Sequence, residues 1–171
     1  MESFTASRRR LLAAALLAWS GAAHAQVLDA PAGRVVLTVS GEIAEHNTPD
    51  GAQFDIAMLE KLPHTSYSTR TPWFTEPRKF TGVLMRDLLA AVGAKGATAK
   101  AIALNDYRVD IPTEDAQRHE LLIAWLLDDK PMAVRDKGPL VVIYPFDSHP
   151  ELKSAINYSR AAWQLKQLDV R

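Results

Sequence analysis

The shortness of its apolar segments constrains the fold of this 171-residue chain more than any other sequence feature. β-Branched and apolar runs recur along the chain, and Pro, Gly, Asn or Asp residues separate them. Short runs that end at turn residues predict buried or half-buried strands. We expect strands or extended segments at residues 35–40, 64–70, 99–104, 107–111, 120–128, 140–144 and 162–170.

Only one segment shows a sustained helical pattern. Within residues 82–92, Leu84, Leu88 and Val92 recur every four positions, which predicts a helix with one apolar face. Shorter helices are expected where polar residues follow a capping position such as Asp55. These are residues 56–62, 113–118 and 150–156. Because strands outnumber these small helices, the sequence predicts a single α+β domain dominated by sheet.

The first 25 residues have the pattern of a secretory signal peptide. Three arginines at residues 8–10 precede an apolar run at residues 11–19, and residues 23–25 read Ala-His-Ala. The arginines fit both an ordinary export signal and a twin-arginine signal, and both alternatives stay open. We expect cleavage after residue 25, a folded domain at residues 26–171, and a periplasmic location. No later segment is long enough to span a membrane, so the domain is expected not to be transmembrane.

The amino-acid composition excludes several kinds of chemical site and of binding partner. The chain has no cysteine, which excludes disulfides, thiolate nucleophiles and cysteine-ligated metals. Its formal net charge of zero argues against a general nucleic-acid binder. The histidines after residue 25, His46, His64, His119 and His149, are isolated in sequence, and we expect exposed loop positions for most of them. We expect no catalytic residue and no metal ligand, because no nucleophile elbow, phosphate loop or metal-ligand spacing occurs.

Several segments, taken in order, resemble one family. Residues 80–89 read Phe-Thr-Gly-Val-Leu-Met-Arg-Asp-Leu-Leu and resemble a helix entry of the sulfite oxidase type molybdopterin-binding domain. Residues 105–112, residues 121–132 and residues 138–145 are similar to later segments of that domain, and Trp163 with the last strand completes the series. The resemblance covers nearly all of residues 26–171. It implies a mixed-sheet, sulfite-oxidase-like fold in one domain.

The sequence departs from that family at two positions. The family's molybdenum-ligating cysteine aligns with Arg70 or its neighbours, where residues 68–71 read Ser-Thr-Arg-Thr. The family's arginine in the segment at residues 138–145 falls on Val141. We therefore expect a pterin ligand without molybdenum, and a chain that is not an enzyme.

The resemblance also implies which residues form the pterin site. A flat ring edged with donors and acceptors needs an aromatic face, carboxylate or amide partners and an arginine. The matching positions are Arg70, Thr71, Trp73, Asp106, Tyr107, Asp136, Ser159 and Arg160. Each has a structural alternative: the aromatic residues could pack in the core, the arginines could be solvated, and Asp136 could be a turn acid.

The resemblance suggests two functions. A small, exported form without cysteine resembles periplasmic pterin-binding proteins that partner a membrane-bound cyclic-di-GMP cyclase or phosphodiesterase. We expect such a protein to bind a pterin, without catalysis, and to report it by contacting the periplasmic domain of that signalling enzyme. The alternative is a molybdopterin-dependent oxidoreductase, or its subunit, that holds molybdenum without cysteine.

Overall fold

The structure is a computed structural model that describes residues 28–171. The predicted signal peptide at residues 1–25 lies outside the described residues, so its cleavage and export route stay predictions. Among the residues that the structure describes, no helix is both long and apolar enough to cross a membrane.

Two five-stranded sheets form the framework. The first contains β1 (Leu37–Gly41), β2 (Ala52–Phe54), β5 (Thr98–Ala103), β6 (Arg108–Pro112) and β10 (Leu165–Val170). Its strand order is β2-β1-β10-β5-β6. The pairing of β1 with β10 is parallel and the other pairings are antiparallel, so the sheet is mixed.

The second sheet is antiparallel throughout. It contains β3 (His64–Thr71), β4 (Phe74–Leu84), β7 (Leu122–Leu127), β8 (Lys130–Pro131) and β9 (Val141–Ile143). The order is β3-β4-β7-β8, and β9 also pairs with β7. The central strands β7 and β9 are almost entirely buried, as their uninterrupted apolar sequences predict.

Short helices connect the strands. They are α1 (Ile56–Lys61), α2 (Met85–Ala91), α3 (Thr113–Arg118) and α4 (Ala155–Arg160), with 3₁₀ turns at Val134–Asp136 and Pro150–Leu152. Asp55 caps α1, as predicted, because its side chain accepts a hydrogen bond from the backbone of Met58. One apolar core joins both sheets to α2, whose Met85, Leu88 and Leu89 are buried.

The predicted mixed-sheet α+β domain is confirmed, and one helix boundary is wrong. The predicted helix at residues 82–92 begins only at Met85, because β4 continues through Leu84. At Gly82 the register between β4 and β7 shifts, and an added Cβ would overlap the Ile123 carbonyl oxygen. The glycine is thus required by the close approach of two strands, whereas Leu84 fits the helical repeat by coincidence.

Two further elements differ from the expectation. The first half of β4 was not predicted as a strand, because the residues that precede Phe80 are mostly polar and only partly buried. The helix expected at residues 150–156 is divided into a 3₁₀ turn and α4, which begins after Ser154. The Ser154 side chain accepts a hydrogen bond from Asn157, which fixes the start of α4.

Candidate functional site

One cleft of about 500 Å³ lies where several turns of the two sheets meet. It is bordered by the β3–β4 turn, the β5–β6 turn, the 3₁₀ turn at Val134–Asp136, α4 and the segment before β10. Its volume is within the range of small-molecule sites. The lining residues are Trp73, Asn105, Tyr107, Arg135, Lys137, Tyr158, Ser159, Ala161, Trp163 and Gln164.

An aromatic cluster forms one wall of the cleft. The rings of Trp73 and Trp163 lie edge to face with centroids 5.3 Å apart, and Tyr158 lies 6.3 Å from Trp73. The indole Nε1 of Trp163 is buried and has no hydrogen-bond partner within residues 28–171. Buried indole N–H groups normally have an acceptor. The wall therefore offers aromatic surface, and the unpaired indole nitrogen lies beneath that surface.

Two cations lie at the cleft on a turn that is tied to the aromatic wall. The backbone N–H of Gln164 donates to the Lys137 carbonyl at 2.9 Å, and its side-chain Nε2 donates to the Val134 carbonyl at 2.8 Å. The Lys137 ammonium lies 5.3 Å from the centroid of Trp163. The Arg135 Nε lies 3.5 Å from Asp136 in an exposed pair, which neutralises the guanidinium only weakly.

One hydrogen bond joins the β5–β6 turn to α4 at the cleft. The Tyr107 hydroxyl donates to the Ser159 carbonyl at 2.8 Å. Two other hydrogen bonds lie within one segment each: the Ser159 hydroxyl donates to the Ile156 carbonyl at 2.6 Å, and the Asn105 side-chain oxygen accepts from the Tyr107 backbone N–H at 3.1 Å. The phenol thereby holds two separate segments together at the cleft edge, and the amide orders the turn.

A buried network supports α4 from behind. Asp115 on α3 accepts hydrogen bonds from the Tyr144 hydroxyl at 2.9 Å and from the Arg160 guanidinium at 3.0 Å. Burial, followed by the Asp115 charge, raises the pKa of Tyr144 far above its usual value of 10.0. Tyr144 therefore stays protonated and acts as a donor at neutral pH.

The structure places three of the eight predicted site residues at the cleft: Trp73, Tyr107 and Ser159. Arg70 is not among the lining residues, because its backbone N–H donates to Asp147 and its guanidinium lies 3.6 Å from the same carboxylate. Thr71 is buried, and its hydroxyl has no partner in the described part of the chain.

The other three predicted residues lie next to the cleft in sequence, but their side chains have other partners. Asp106 forms an ion pair with Lys166 at 3.0 Å, and the Lys166 hydrogen bond and charge lower the pKa of that carboxyl. Asp136 pairs with the neighbouring Arg135, and Arg160 contacts Asp115 behind α4.

Sequence reasoning missed most of the residues that line the cleft. Asn105, Arg135, Lys137, Tyr158 and Ala161 each lie next to a predicted residue, whereas Trp163 and Gln164 were not assigned to the site. The charged triplet Arg135-Asp136-Lys137 was the available signal, and the acid was chosen instead of the flanking cations. The Trp163 ring packs against the buried Phe80 as well as against Trp73.

The chain is similar to one protein family and to a solved structure. A family model described as "Oxidoreductase molybdopterin binding domain" matches residues 37–147. The crystal structure of the sulfane dehydrogenase SoxCD from Paracoccus pantotrophus is similar, with a TM-score of 0.58 and 13% sequence identity. The match covers 78% of this chain and 37% of that chain, so this chain spans well under half the length of that relative. A search of curated proteins found no significant match.

The family match contradicts two expectations that rested on the missing cysteine. A chain that is not an enzyme was expected, but the matched model is that of an oxidoreductase domain. Absence of molybdenum was also expected, but the matched domain binds molybdopterin, the cofactor that carries the metal. The error was to treat a protein thiolate as essential.

Proposed function

Because the chain belongs to the oxidoreductase molybdopterin-binding domain family, we propose that it acts as the cofactor-binding domain of an oxidoreductase and binds molybdopterin in the cleft. One observation carries this proposal: the cleft combines an aromatic wall with two cations. A pterin needs flat apolar contact and polar partners at its ring edge, and the phosphate attached to it needs cations.

The donor and acceptor groups of the cleft fit the pterin ring. Trp73 and Trp163 supply aromatic surface for the flat ring. Asn105 uses its side-chain oxygen within the β5–β6 turn and keeps its NH₂ group as a donor. Gln164 uses its NH₂ group on Val134 and keeps its oxygen as an acceptor.

Arg135 and Lys137 fit the phosphate. Guanidinium groups bind phosphate through paired N–H donors, and a lysine ammonium binds it as a point charge. Both side chains line the cleft on one short turn, and Asp136 between them holds the Arg135 guanidinium only loosely. The phosphate would replace this exposed carboxylate as the partner of Arg135.

The metal end of the cofactor receives no sulfur from this chain, which has no cysteine. When bound, molybdopterin supplies its own dithiolene sulfurs to the metal together with the redox chemistry of the site. The part of the protein is to bind and orient the cofactor. The Asp115 network helps to orient the cofactor indirectly. It fixes the position of α4, and hence of Tyr158 and Ser159 at the cleft.

The first test measures how much pterin and molybdenum the purified full chain contains. Protein produced in a host that makes molybdopterin is denatured, and the released pterin and molybdenum are quantified in the same sample. We expect stoichiometric pterin. Replacing Lys137 or Arg135 by Ala should weaken retention about fivefold each, because an exposed charge-assisted contact contributes about 1 kcal/mol.

The matched control is Arg118→Ala, which removes an exposed arginine that pairs with Glu114 on α3. It should leave the pterin content unchanged. The proposal is refuted if the wild-type chain neither retains molybdopterin nor binds it on titration. Equal loss of pterin in the Arg118 and Lys137 variants would refute the assignment of the cleft.

A second proposal concerns a partner. The segments that form the cleft carry three exposed apolar side chains, Tyr107, Val134 and Ile156, and Ile156 is 64% exposed. Exposed apolar groups close to a ligand site are typical of surfaces that contact another protein. These side chains support a contact with another protein at this face. We propose that the partner is the periplasmic domain of a membrane-bound cyclic-di-GMP enzyme, which the chain meets after export to the periplasm.

The test uses the native host. Cyclic di-GMP is measured in a strain that lacks this chain and is complemented with either the wild type or Ile156→Asp. Restoration by the wild type alone, with equal pterin content in both proteins, would support the contact. If deletion of the chain leaves the cyclic-di-GMP level unchanged, the partner proposal fails, whereas the cofactor proposal is unaffected.

A further inference from the structure

A second cluster of chemically active side chains lies outside the cleft. His119 immediately follows α3, and His149 caps the 3₁₀ turn that contains Glu151. The two imidazole rings lie with centroids 4.9 Å apart, and the His149 Nδ1 lies 3.1 Å from a Glu151 oxygen. One ligand atom from each of the three residues lies within 4.8 Å of the other two.

An unpaired ring nitrogen of His119 indicates that the cluster lacks a bound partner, such as an ion. Its Nδ1 is buried and has no hydrogen-bond partner in the part of the chain that the structure describes. A buried polar atom without a partner is unfavourable. The backbone of His119 is held to α3, because its N–H donates to the Asp115 carbonyl oxygen at 2.9 Å. A metal ion bound to the ring Nδ1 would satisfy that atom.

The surrounding charges favour a cation. Glu151 supplies a carboxylate oxygen 3.1 Å from the His149 Nδ1, so an anionic group lies directly beside the imidazoles. The side chains of Glu151 and His149 are 62% and 37% exposed, which leaves a path for an ion from solvent. Two imidazoles and one carboxylate form the ligand set of zinc sites that keep an open fourth position.

We propose that His119, His149 and Glu151 bind a divalent transition-metal ion of the Zn²⁺ type, with water as the remaining ligand. In tetrahedral zinc the ligand atoms lie about 3.4 Å apart, so the side chains need to approach by at most about 1.4 Å. Such a shift is within reach of side-chain rotation at an exposed turn. Sequence spacing did not indicate the site, because thirty positions separate the two histidines and the fold brings them together.

The ion would link two segments that otherwise meet through side-chain contacts alone. One segment follows α3, which carries Asp115 and so supports α4 behind the cleft. The other follows β9 and leads into α4. We therefore expect metal binding to slow amide exchange at residues 113–121 and 145–152. This inference does not depend on the cofactor cleft.

The test titrates ZnCl₂ into the full chain, purified without a histidine tag and stripped with a chelator, and measures heat and melting temperature. We expect one equivalent to bind and, at about a hundredfold excess over Kd, the melting temperature to rise by roughly 5–10 °C. His149→Ala and Glu151→Gln should weaken binding by more than the roughly 10–100-fold that outer-shell substitutions cause.

His46→Ala and His64→Ala are the controls, because they remove exposed histidines outside the cluster. If His119→Ala does not fold, the two variants at exposed positions decide the question. The proposal is overturned if the wild-type chain binds no Zn²⁺. It is also overturned if His46→Ala weakens binding as much as His149→Ala, which would indicate adventitious surface binding. Cofactor content is measured separately, so either proposal can fail without the other.

Discussion

Removing the hydroxyl of Tyr144 tests whether the Asp115 network holds the second sheet against α3 and α4. Tyr144 follows β9 and is fully buried, and its hydroxyl donates to Asp115, which also accepts from Arg160. Tyr144→Phe deletes one oxygen atom and changes neither the ring nor its packing against Phe146. We expect the variant to fold and to be measurably less stable.

The expected loss follows from the two partners. A hydrogen bond to an ionised acceptor contributes about 1.5–3 kcal/mol to stability. Asp115 keeps Arg160 in the variant, and its side chain is 21% exposed, so water partly replaces the lost donor. We therefore expect a decrease in the free energy of unfolding of about 1.5–2 kcal/mol and in the melting temperature of about 3–8 °C.

Urea unfolding followed by circular dichroism measures this loss, and Tyr107→Phe is the matched control. Tyr107 also donates from its hydroxyl, but it is exposed, so its variant should lose less than about 0.5 kcal/mol. A double-mutant cycle of Tyr144→Phe with Asp115→Asn should give a coupling of about 1 kcal/mol or more. A Tyr144→Phe loss no larger than the Tyr107→Phe loss, or a coupling near zero, would refute the network.

Three further predictions concern the core and the helix caps. Hydrogen bonds from Gly33 and two other backbone N–H groups hold the pKa of Asp55 below its usual value of 3.8. Asp55 therefore stabilises the fold above its unfolded pKa, and this stabilisation is lost as pH falls through its folded pKa. The urea midpoints of wild type and Asp55→Asn should therefore differ fully at about pH 6 and converge only below about pH 4. Gly82→Ala should lower the free energy of unfolding by about 1–3 kcal/mol or more, because the new Cβ overlaps the backbone of β7; thermal unfolding measures this. Leu88→Ala should cost about 2–5 kcal/mol at a fully buried site, whereas the control Ile156→Ala should change urea stability by less than about 0.5 kcal/mol.

The sequence was most informative where burial is decided locally. The run that becomes β7 and the capped helix α1 were predicted because a strand or a cap depends on a few adjacent residues. The first half of β4 was missed because backbone pairing with β3, and not side-chain burial, makes it a strand. The boundary near Gly82 was misplaced for a related reason, since the need for glycine comes from β7 across the sheet.

The cleft itself was predicted only in part, because its residues come from five separate segments and adjacent side chains point in different directions. At the β5–β6 turn, the backbone of Asp106 has φ of 63°, and its side chain pairs with Lys166, while Asn105 and Tyr107 line the cleft. A prediction that is wrong by one position therefore names a residue whose side chain points away from the cleft and pairs elsewhere, as Asp106 does with Lys166. Trp73, Tyr107 and Ser159 were correctly expected near one another, although their role in binding a pterin stays a prediction.

Backbone strain gives an independent reason to regard this cleft as the functional site. Among the described residues, five other than glycine have positive φ, and three of these are aspartates, which tolerate that conformation. The other two are Lys137, with φ of 75°, and Gln164, with φ of 54°. Both line the cleft, and a backbone hydrogen bond joins them. Glycine would adopt either conformation without cost, but it would remove the ammonium and the amide from the cleft. Lys137 and Gln164 therefore place functional side chains at two positions whose backbone conformation favours glycine or asparagine.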